Sequence, residues 1–227
     1  MSKYNFELDM NSENSNSVIL RGIKPNSKVL EVGCAHGRMT KYLKEQLNCT
    51  TTIVEIDEEA GRTASQWSYQ YFIGKEADIQ QVGLINYLSE GSKFDYIIFA
   101  DVLEHLHNPE QVLEKSKDLL APNGSIWISI PNVGHNSVLI DLWNDKFEYR
   151  NVGLLDNTHI KFFTYSTLLS LVVSLDFKIV SMHNLKNAVE YTEFKNSYYD
   201  VPQEVAEGLK TRQHGETYQF VWELKVR

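Results

Sequence analysis

Cysteine is nearly missing from this chain: Cys34 and Cys49 are the only two. Two thiols cannot build a disulfide framework, and they form no C-x-x-C pair for metal or redox work. Free thiols fit a reducing compartment, so the expected location is the cytoplasm. Positive charge is also short. Lys and Arg number 22 against 30 Asp and Glu, a formal net charge of −8, which argues against nucleic acid as the main partner. The same balance argues against an anionic membrane surface. No apolar run approaches the roughly 20 residues needed to cross a bilayer. No basic segment followed by an apolar run marks a secretory signal. One more absence is local: G-x-G-x-x-G would place glycines where Ala35 and Arg38 stand after Gly33. A dinucleotide pyrophosphate would therefore meet side chains at two of its three glycine positions.

What the chain does have is a glycine turn between a strand and a helix. Val29–Val32 reads as a short buried strand, Gly33–Gly37 as a tight turn, and Arg38, Thr40 and Lys41 open a helix. Such a turn lets a ligand approach the backbone where a Cβ would stand in the way. It also aims the first amide N–H groups of the helix at that ligand. Cys34, inside the turn, reads as a small filler, since no neighbour in sequence would lower its pKa. The next strand, Thr51–Ile56, is rich in β-branched residues and ends at Glu55. That is about 20 residues past the turn, where an α/β nucleotide-binding unit presents an acid to a ribose. A carboxylate accepts both hydrogens of a cis-diol.

Phe94–Ala100 is almost wholly apolar, as a central strand covered on both faces should be. Around it, apolar periodicity predicts helices over Ser17–Ile23, Met39–Leu47, Ala60–Trp67, Pro109–Leu120, Val138–Phe147 and Thr167–Leu175. Further strands are expected at Tyr71–Ile73, Ser125–Ile130, Phe177–Met182 and Tyr218–Val226, with a turn at Ala121–Gly124. The last strand alternates in the manner of an antiparallel one. Residues 1–24 are expected to form an N-terminal arm with a short helix, and 25–227 a single domain. That domain carries a rim insertion at 131–163 and a variable segment at 185–214.

The run E-x-G-x-x-x-G, from Glu31 through Gly33 to Gly37, resembles the first motif of class I S-adenosylmethionine-dependent methyltransferases. That motif is typically E/D-x-G-x-G-x-G, and Ala35 replaces its middle glycine. The D-V-L-E-H stretch at Asp101–His105 and the run from Leu119 to Asn132 are similar to later motifs of small-molecule members. Asp156–Thr164, D-N-T-H-I-K-F-F-T, resembles a signature of the bacterial type 11, 12 and 23 groups. The resemblance implies an α/β, doubly wound, Rossmann-like seven-stranded sheet, mostly parallel with an antiparallel C-terminal strand and helices on both faces. It implies S-adenosyl-L-methionine as cofactor and S-adenosyl-L-homocysteine as product. Cofactor contacts would come from Glu31, Gly33, Cys34, Ala35 and Gly37 at the turn, and from Glu55 and Ile56 at the ribose. Asp78 and Ile79 would meet the adenine, and Asp101 and Val102 the methionine end. Tyr4 and Phe6 are candidates to cover the bound cofactor.

Methyl transfer from a sulfonium needs alignment and exclusion of water more than it needs catalytic side chains. An O–H or N–H acceptor still benefits from a base. His105, His135 and His159 are the candidates, with His159 and His105 ranked first. His135, Asp156 and His159 are the expected acceptor contacts. Similar triads to Asp101, Glu104 and His105 are assigned a divalent ion in some ubiquinone O-methyltransferases. A strand-to-helix turn should scatter these three, so no metal is expected. The acceptor is expected to be a small molecule, a sugar or another metabolite, and the protein a monomer or homodimer. Two alternatives stand beside this reading. An NAD(P)-dependent oxidoreductase shares the strand, turn and ribose acid, but lacks support at Arg38. A non-catalytic module that binds S-adenosylmethionine would suit the long aromatic segment 185–214.

Overall fold

The computed structural model describes residues 7–91 and 93–227. Tyr4 and Phe6 lie outside the described residues. The chain enters through α1 (Ser15–Gly22), whose start is fixed by Asn14. The Asn14 side chain accepts the Ser17 N–H at 2.9 Å, and the Ser17 hydroxyl accepts the Asn14 N–H at 3.1 Å. This reciprocal cap satisfies donors that a bare helix end leaves unpaired. Val18, Ile19 and Leu20 then sink into the core beside Val29, Ile98 and Trp127. The expected arm therefore begins packing on the sheet at α1.

Next come β1 (Lys28–Val32), α2 (Arg38–Glu45), β2 (Thr50–Glu55), α3 (Glu58–Ser65) and β3 (Gln70–Ile73). They are followed by α4 (Val82–Glu90), β4 (Phe94–Ala100), α5 (Pro109–Ser116) and β5 (Leu120–Pro131). The rest is α6 (Asn136–Trp143), α7 (Tyr165–Ser174), β6 (Phe177–Lys186), α8 (Gln203–Lys210) and β7 (Thr217–Val226). The seven strands lie in the order β3-β2-β1-β4-β5-β7-β6. The first five are mutually parallel, and β7 runs antiparallel to both β5 and β6. Strand order reverses between β1 and β4, and open α/β sheets bind ligands in the crevice at the carboxyl ends of such a pair.

Both faces of the sheet are covered. Leu30, Ile97, Phe99 and Ile128 meet α4, α5 and α7 on one side. Val29, Ile98, Trp127 and Val221 meet α1 and α2 on the other. Neighbouring residues on β1 and β4 thus serve opposite layers, as a pleated strand requires.

Three differences from the sequence expectation have local causes. α4 has no expected counterpart, because Gly83 interrupts its apolar spacing and no side chain caps its start. The expected turn at Ala121–Gly124 is instead a bulge inside β5. Pairing with β4 jumps from Phe94↔Leu120 to Tyr96↔Ser125. Asn123 takes φ 67° there, and a Cβ on Gly124 would lie 2.9 Å from the Phe94 carbonyl oxygen. β6 extends to Lys186, past the expected Met182, because β7 continues to pair with it. The segment 185–214 packs on the rim: Val189, Val201 and Ala206 close over Ile140 of α6.

Candidate functional site

The glycine turn sits at the carboxyl end of β1, where the strand order reverses. Gly33 has φ +70°, and a Cβ there would lie 2.6 Å from Val102 Cγ2. Glycine is thus required both by conformation and by the close passage of the segment that leaves β4. Ala35 also takes a left-handed conformation, at φ 47°. An alanine there carries strain that a glycine would avoid, about 1–2 kcal/mol. Gly37, at φ +79°, serves packing: a Cβ would meet the Ala64 Cα of α3 at 2.7 Å.

Glu55 braces this turn. Its Oε2 accepts the Ala35 N–H at 2.7 Å and its Oε1 accepts the Asp57 N–H at 2.9 Å. The carboxylate is buried, and each oxygen keeps a second lone pair for a ligand. Beyond it Ile56 is 61 % exposed, an apolar side chain left uncovered beside the carboxylate. Beneath the turn, Glu31 accepts the Thr40 hydroxyl at 2.7 Å. Burial holds the Glu31 carboxyl up at about 7, against the lowering effects of that hydrogen bond and of Arg38. Cys34 is buried against Ile53 and Ala64, and burial, with Glu31 and Glu55 nearby, raises its thiol further. Its side chain is the filler expected, so any ligand contact there falls to the backbone.

Asp78 is half-buried and folds back on its own loop, where Oδ1 accepts the Gln80 N–H at 2.9 Å. Ile79 is in the core. Gln80 extends from this loop to the far side of the site, its Oε1 accepting the His107 N–H at 2.7 Å. Asp101 follows β4 with φ 55°. Its Oδ1 accepts the Ser129 hydroxyl at 3.2 Å and the Gln219 side-chain amide. Burial pushes the Asp101 carboxyl up, while Ser129 and Gln219 pull it down. Gln219 comes from β7, and no local pattern connects it with Asp101. Ser129 left a weak sign, as the one hydroxyl among apolar residues next to Ile128 and Ile130.

The loop 156–163 lies against the turn that carries Glu104 and His105. The Glu104 carbonyl accepts the N–H groups of both Ile160 and Lys161, at 2.9 and 3.0 Å. His105 Nδ1 faces the Thr158 carbonyl at 3.0 Å, and the rings of His105 and His159 meet edge-on at 4.9 Å. Glu104, His105 and His159 each bring a ligand atom within 4.8 Å of the others. Asp101 is not in that group, so the triad of Asp101, Glu104 and His105 does not assemble. Burial, with Asp101 beside it, pushes the Glu104 carboxyl well above its usual range.

Two expected acceptor contacts serve the scaffold. His135 is 0 % exposed; its Nδ1 accepts the Ser137 N–H at 3.1 Å, capping α6, and its Nε2 meets the Asn187 carbonyl at 2.9 Å. Burial lowers its pKa, which fits a neutral ring in that place. This corrects its assignment as a substrate residue: both nitrogens are used within the fold. Asp156 is buried and accepts the Thr158 N–H and hydroxyl at 2.8 and 2.6 Å, shaping the loop that presents His159. Two concavities lie away from this rim. One is lined by Lys28, Thr50 and Gln70 at the opposite, amino ends of the strands, and the other lies between α3 and β3.

The strand order, the lone antiparallel strand and the glycine turn at the switch point define the class I methyltransferase fold, whose cofactor is S-adenosylmethionine. A model of a methyltransferase-domain family, type 23, matches residues 10–182, and the chain belongs to that family. It is 29% identical over 115 residues to a ubiquinone biosynthesis O-methyltransferase of Pasteurella multocida, a match covering 46% of each chain. A Thiobacillus denitrificans protein of the same name is 27% identical over 114 residues, 50% of this chain and 48% of that one. The chain thus spans about half the length of the curated relatives it matches. Among solved structures, an Archaeoglobus fulgidus SAM-dependent methyltransferase superposes with TM-score 0.61 at 18% identity, covering 93% of this chain and 94% of that one. A Synechocystis magnesium protoporphyrin IX methyltransferase, solved with bound SAH, gives TM-score 0.59 at 14% identity, covering 93% and 79%. At such identities the likeness is one of fold.

Proposed function

We propose that this protein moves a methyl group from S-adenosylmethionine to an oxygen or nitrogen of a small molecule by in-line displacement. The cofactor lies across the rim, its ribose on Glu55 and its amino-acid tail against the exposed main chain of the turn at Gly33. Asp78 and the main chain at Ile79 frame the adenine, with Ile56 covering one side. Asp101 and Val102 flank the methionine end. The observation that supports this reading is the meeting of two polar groups next to Val102. The glycine turn braced by Glu55 packs against Val102 at Gly33, and Glu104 and His105, which follow Val102 directly in the chain, meet His159.

His105 and His159 form the acceptor-side pair, and the proton of an O–H or N–H acceptor leaves onto this cluster. Ring contacts lead to it from the surface. Tyr149 meets Phe147 at 5.5 Å, Phe147 meets Phe162 at 6.4 Å, and Phe162 meets His159 at 6.3 Å. Phe147 and Tyr149 are exposed, as is Trp143 nearby in sequence. This path favours an acceptor with a flat or apolar face next to its nucleophile. The O-methyltransferase relatives favour oxygen as that nucleophile. The net charge of −8 favours a small acceptor over nucleic acid. No helix among the described residues is long and apolar enough to cross a membrane. The test is calorimetry with S-adenosylhomocysteine, followed by transfer of labelled methyl into a pool of small hydroxylated and aminated metabolites. Product binding together with labelled acceptor is the expected result. Product binding without transfer into any acceptor would leave a binding module and refute the acceptor-side assignment.

A further inference from the structure

Glu104 is 1 % exposed, and neither of its carboxylate oxygens has a hydrogen-bond partner among the described residues. Burying a carboxylate without a compensating group is costly, several kcal/mol after relaxation. A proton relieves that cost in the empty site and a cation relieves it in an occupied one, and the surrounding geometry suits a cation. His105 Nδ1 faces the Thr158 carbonyl at 3.0 Å, and His159 Nδ1 faces the Leu154 carbonyl at 3.3 Å. A carbonyl oxygen only accepts, so each Nδ1 carries the hydrogen and each neutral ring keeps its lone pair on Nε2. His159 Nε2 lies 4.0 Å from Glu104 Oε1. An imidazole whose Nδ1–H is fixed on a backbone carbonyl is oriented in the way that metal-ligating histidines are.

We propose that Glu104, His105 and His159 form a binding site for a divalent transition-metal ion of the zinc type, with one coordination position left for a water or an acceptor oxygen. Two imidazoles and one carboxylate suit zinc, cobalt or manganese better than magnesium, which favours an all-oxygen shell. One ligand atom from each residue already lies within 4.8 Å of the others. A tetrahedral ion with bonds of about 2.1 Å would draw them to about 3.4 Å, an adjustment of up to about 1.4 Å. The two segments that supply the ligands are already joined, since the Glu104 carbonyl holds the N–H groups of Ile160 and Lys161. The ligand set differs from the one the resemblance implies. The resemblance to ubiquinone O-methyltransferases would put an ion on Asp101, Glu104 and His105, but here Asp101 turns to Ser129 and Gln219. His159, from the rim insertion, takes the third place. With the ion bound, the two rings would serve as ligands, and the proton of a coordinated acceptor, made more acidic by the ion, would leave to water in place of the uptake by the rings described above.

The site can be tested without cofactor or acceptor, so its failure is separable from failure of the methyl-transfer reading. The whole chain, stripped with a chelator, is titrated with zinc chloride by calorimetry and with cobalt chloride by visible absorption. The expected result is one ion per chain, with cobalt bands of a low-symmetry nitrogen and oxygen site. His159→Ala and Glu104→Gln should each weaken binding by about 100-fold, whereas Asp101→Asn should change it by less than about threefold. Circular dichroism shows whether each variant is folded; if His159→Ala is not, His159→Gln takes its place. Absence of saturable binding to the parent chain overturns the proposal. So does zinc affinity that survives both ligand substitutions, or that falls as far in Asp101→Asn.

Discussion

Glu55→Gln separates bracing of the glycine turn from binding of a ribose. The carboxylate holds the Ala35 N–H through one oxygen and the Asp57 N–H through the other. An amide of the same shape retains one oxygen and turns an NH2 toward one of these donors. One charge-assisted hydrogen bond is lost, about 1.5–3 kcal/mol. That loss falls on the free and the liganded protein alike, so it appears in folding stability and cancels from affinity. A ribose diol resting on the same carboxylate loses one acceptor in turn, again about 1.5–3 kcal/mol, and this second loss exists only in the complex. It corresponds to roughly a 10- to 150-fold weaker dissociation constant. Urea unfolding should therefore register the first loss, and calorimetry with S-adenosylhomocysteine the second. A variant that loses stability but binds the product within about twofold of the parent would show that Glu55 only braces the turn. The ribose assignment would then be wrong.

Gly37→Ala should destabilise the fold by about 2–4 kcal/mol in denaturant titration, because its Cβ would strike backbone at Ala64 and its φ of +79° disfavours any side chain. Glu31 gives a pH signature: its carboxyl stands at about 7 in the fold against an ordinary 4.5, so the folded state holds the proton more tightly. That stability is complete below pH 4.5 and declines as pH rises through 7, by about 3 kcal/mol in total, and Glu31→Gln should flatten the decline in urea midpoints. His135→Ala removes the α6 cap and the bond to Asn187, and should cost about 2–4 kcal/mol of stability while leaving affinity for S-adenosylhomocysteine unchanged. His105→Ala should abolish most labelled-methyl transfer with product binding within about twofold of the parent; weakened product binding would move His105 to the cofactor side.

The residues proposed for the cofactor are marked by signals that are local in the sequence. Gly33, Glu55 and Asp101 each stand at the end of a strand whose apolar run announces it, and spacing along the chain orders them. Those proposed for the acceptor side are not. His135 and His159 are both rim histidines in sequence, yet one caps a helix inside the fold and the other meets Glu104. Only the contacts of distant segments tell them apart: Asn187 for the first, and Leu154 and the Glu104 turn for the second. Gln219 likewise reaches Asp101 because β7 pairs with β5, a neighbour relation that residue patterns along one strand do not carry. α4 was missed for a simpler reason, since a glycine near its start and an uncapped end conceal a short helix.

Under the proposed function, these contacts bear on acceptor choice. Glu193, in the variable segment, accepts the Leu154 N–H at 2.7 Å through Oε1 and the Tyr218 hydroxyl at 2.9 Å through Oε2. Arg150 donates to the Glu193 carbonyl at 3.0 Å and stacks 4.7 Å over Phe194. Gly153, at φ +95°, leaves room for this carboxylate, since a Cβ there would fall 2.0 Å from Glu193 Oε1. The Leu154 carbonyl, set in place by Glu193 on the N–H of the same residue, then faces His159 Nδ1. The His159 ring is therefore positioned, through Leu154, by Glu193 of the variable segment. Changes at Glu193 or Tyr218 should shift the preference among acceptors with little effect on cofactor affinity. The reverse pattern, lost cofactor binding with unchanged preference, would mean that the two halves of the rim are not independent.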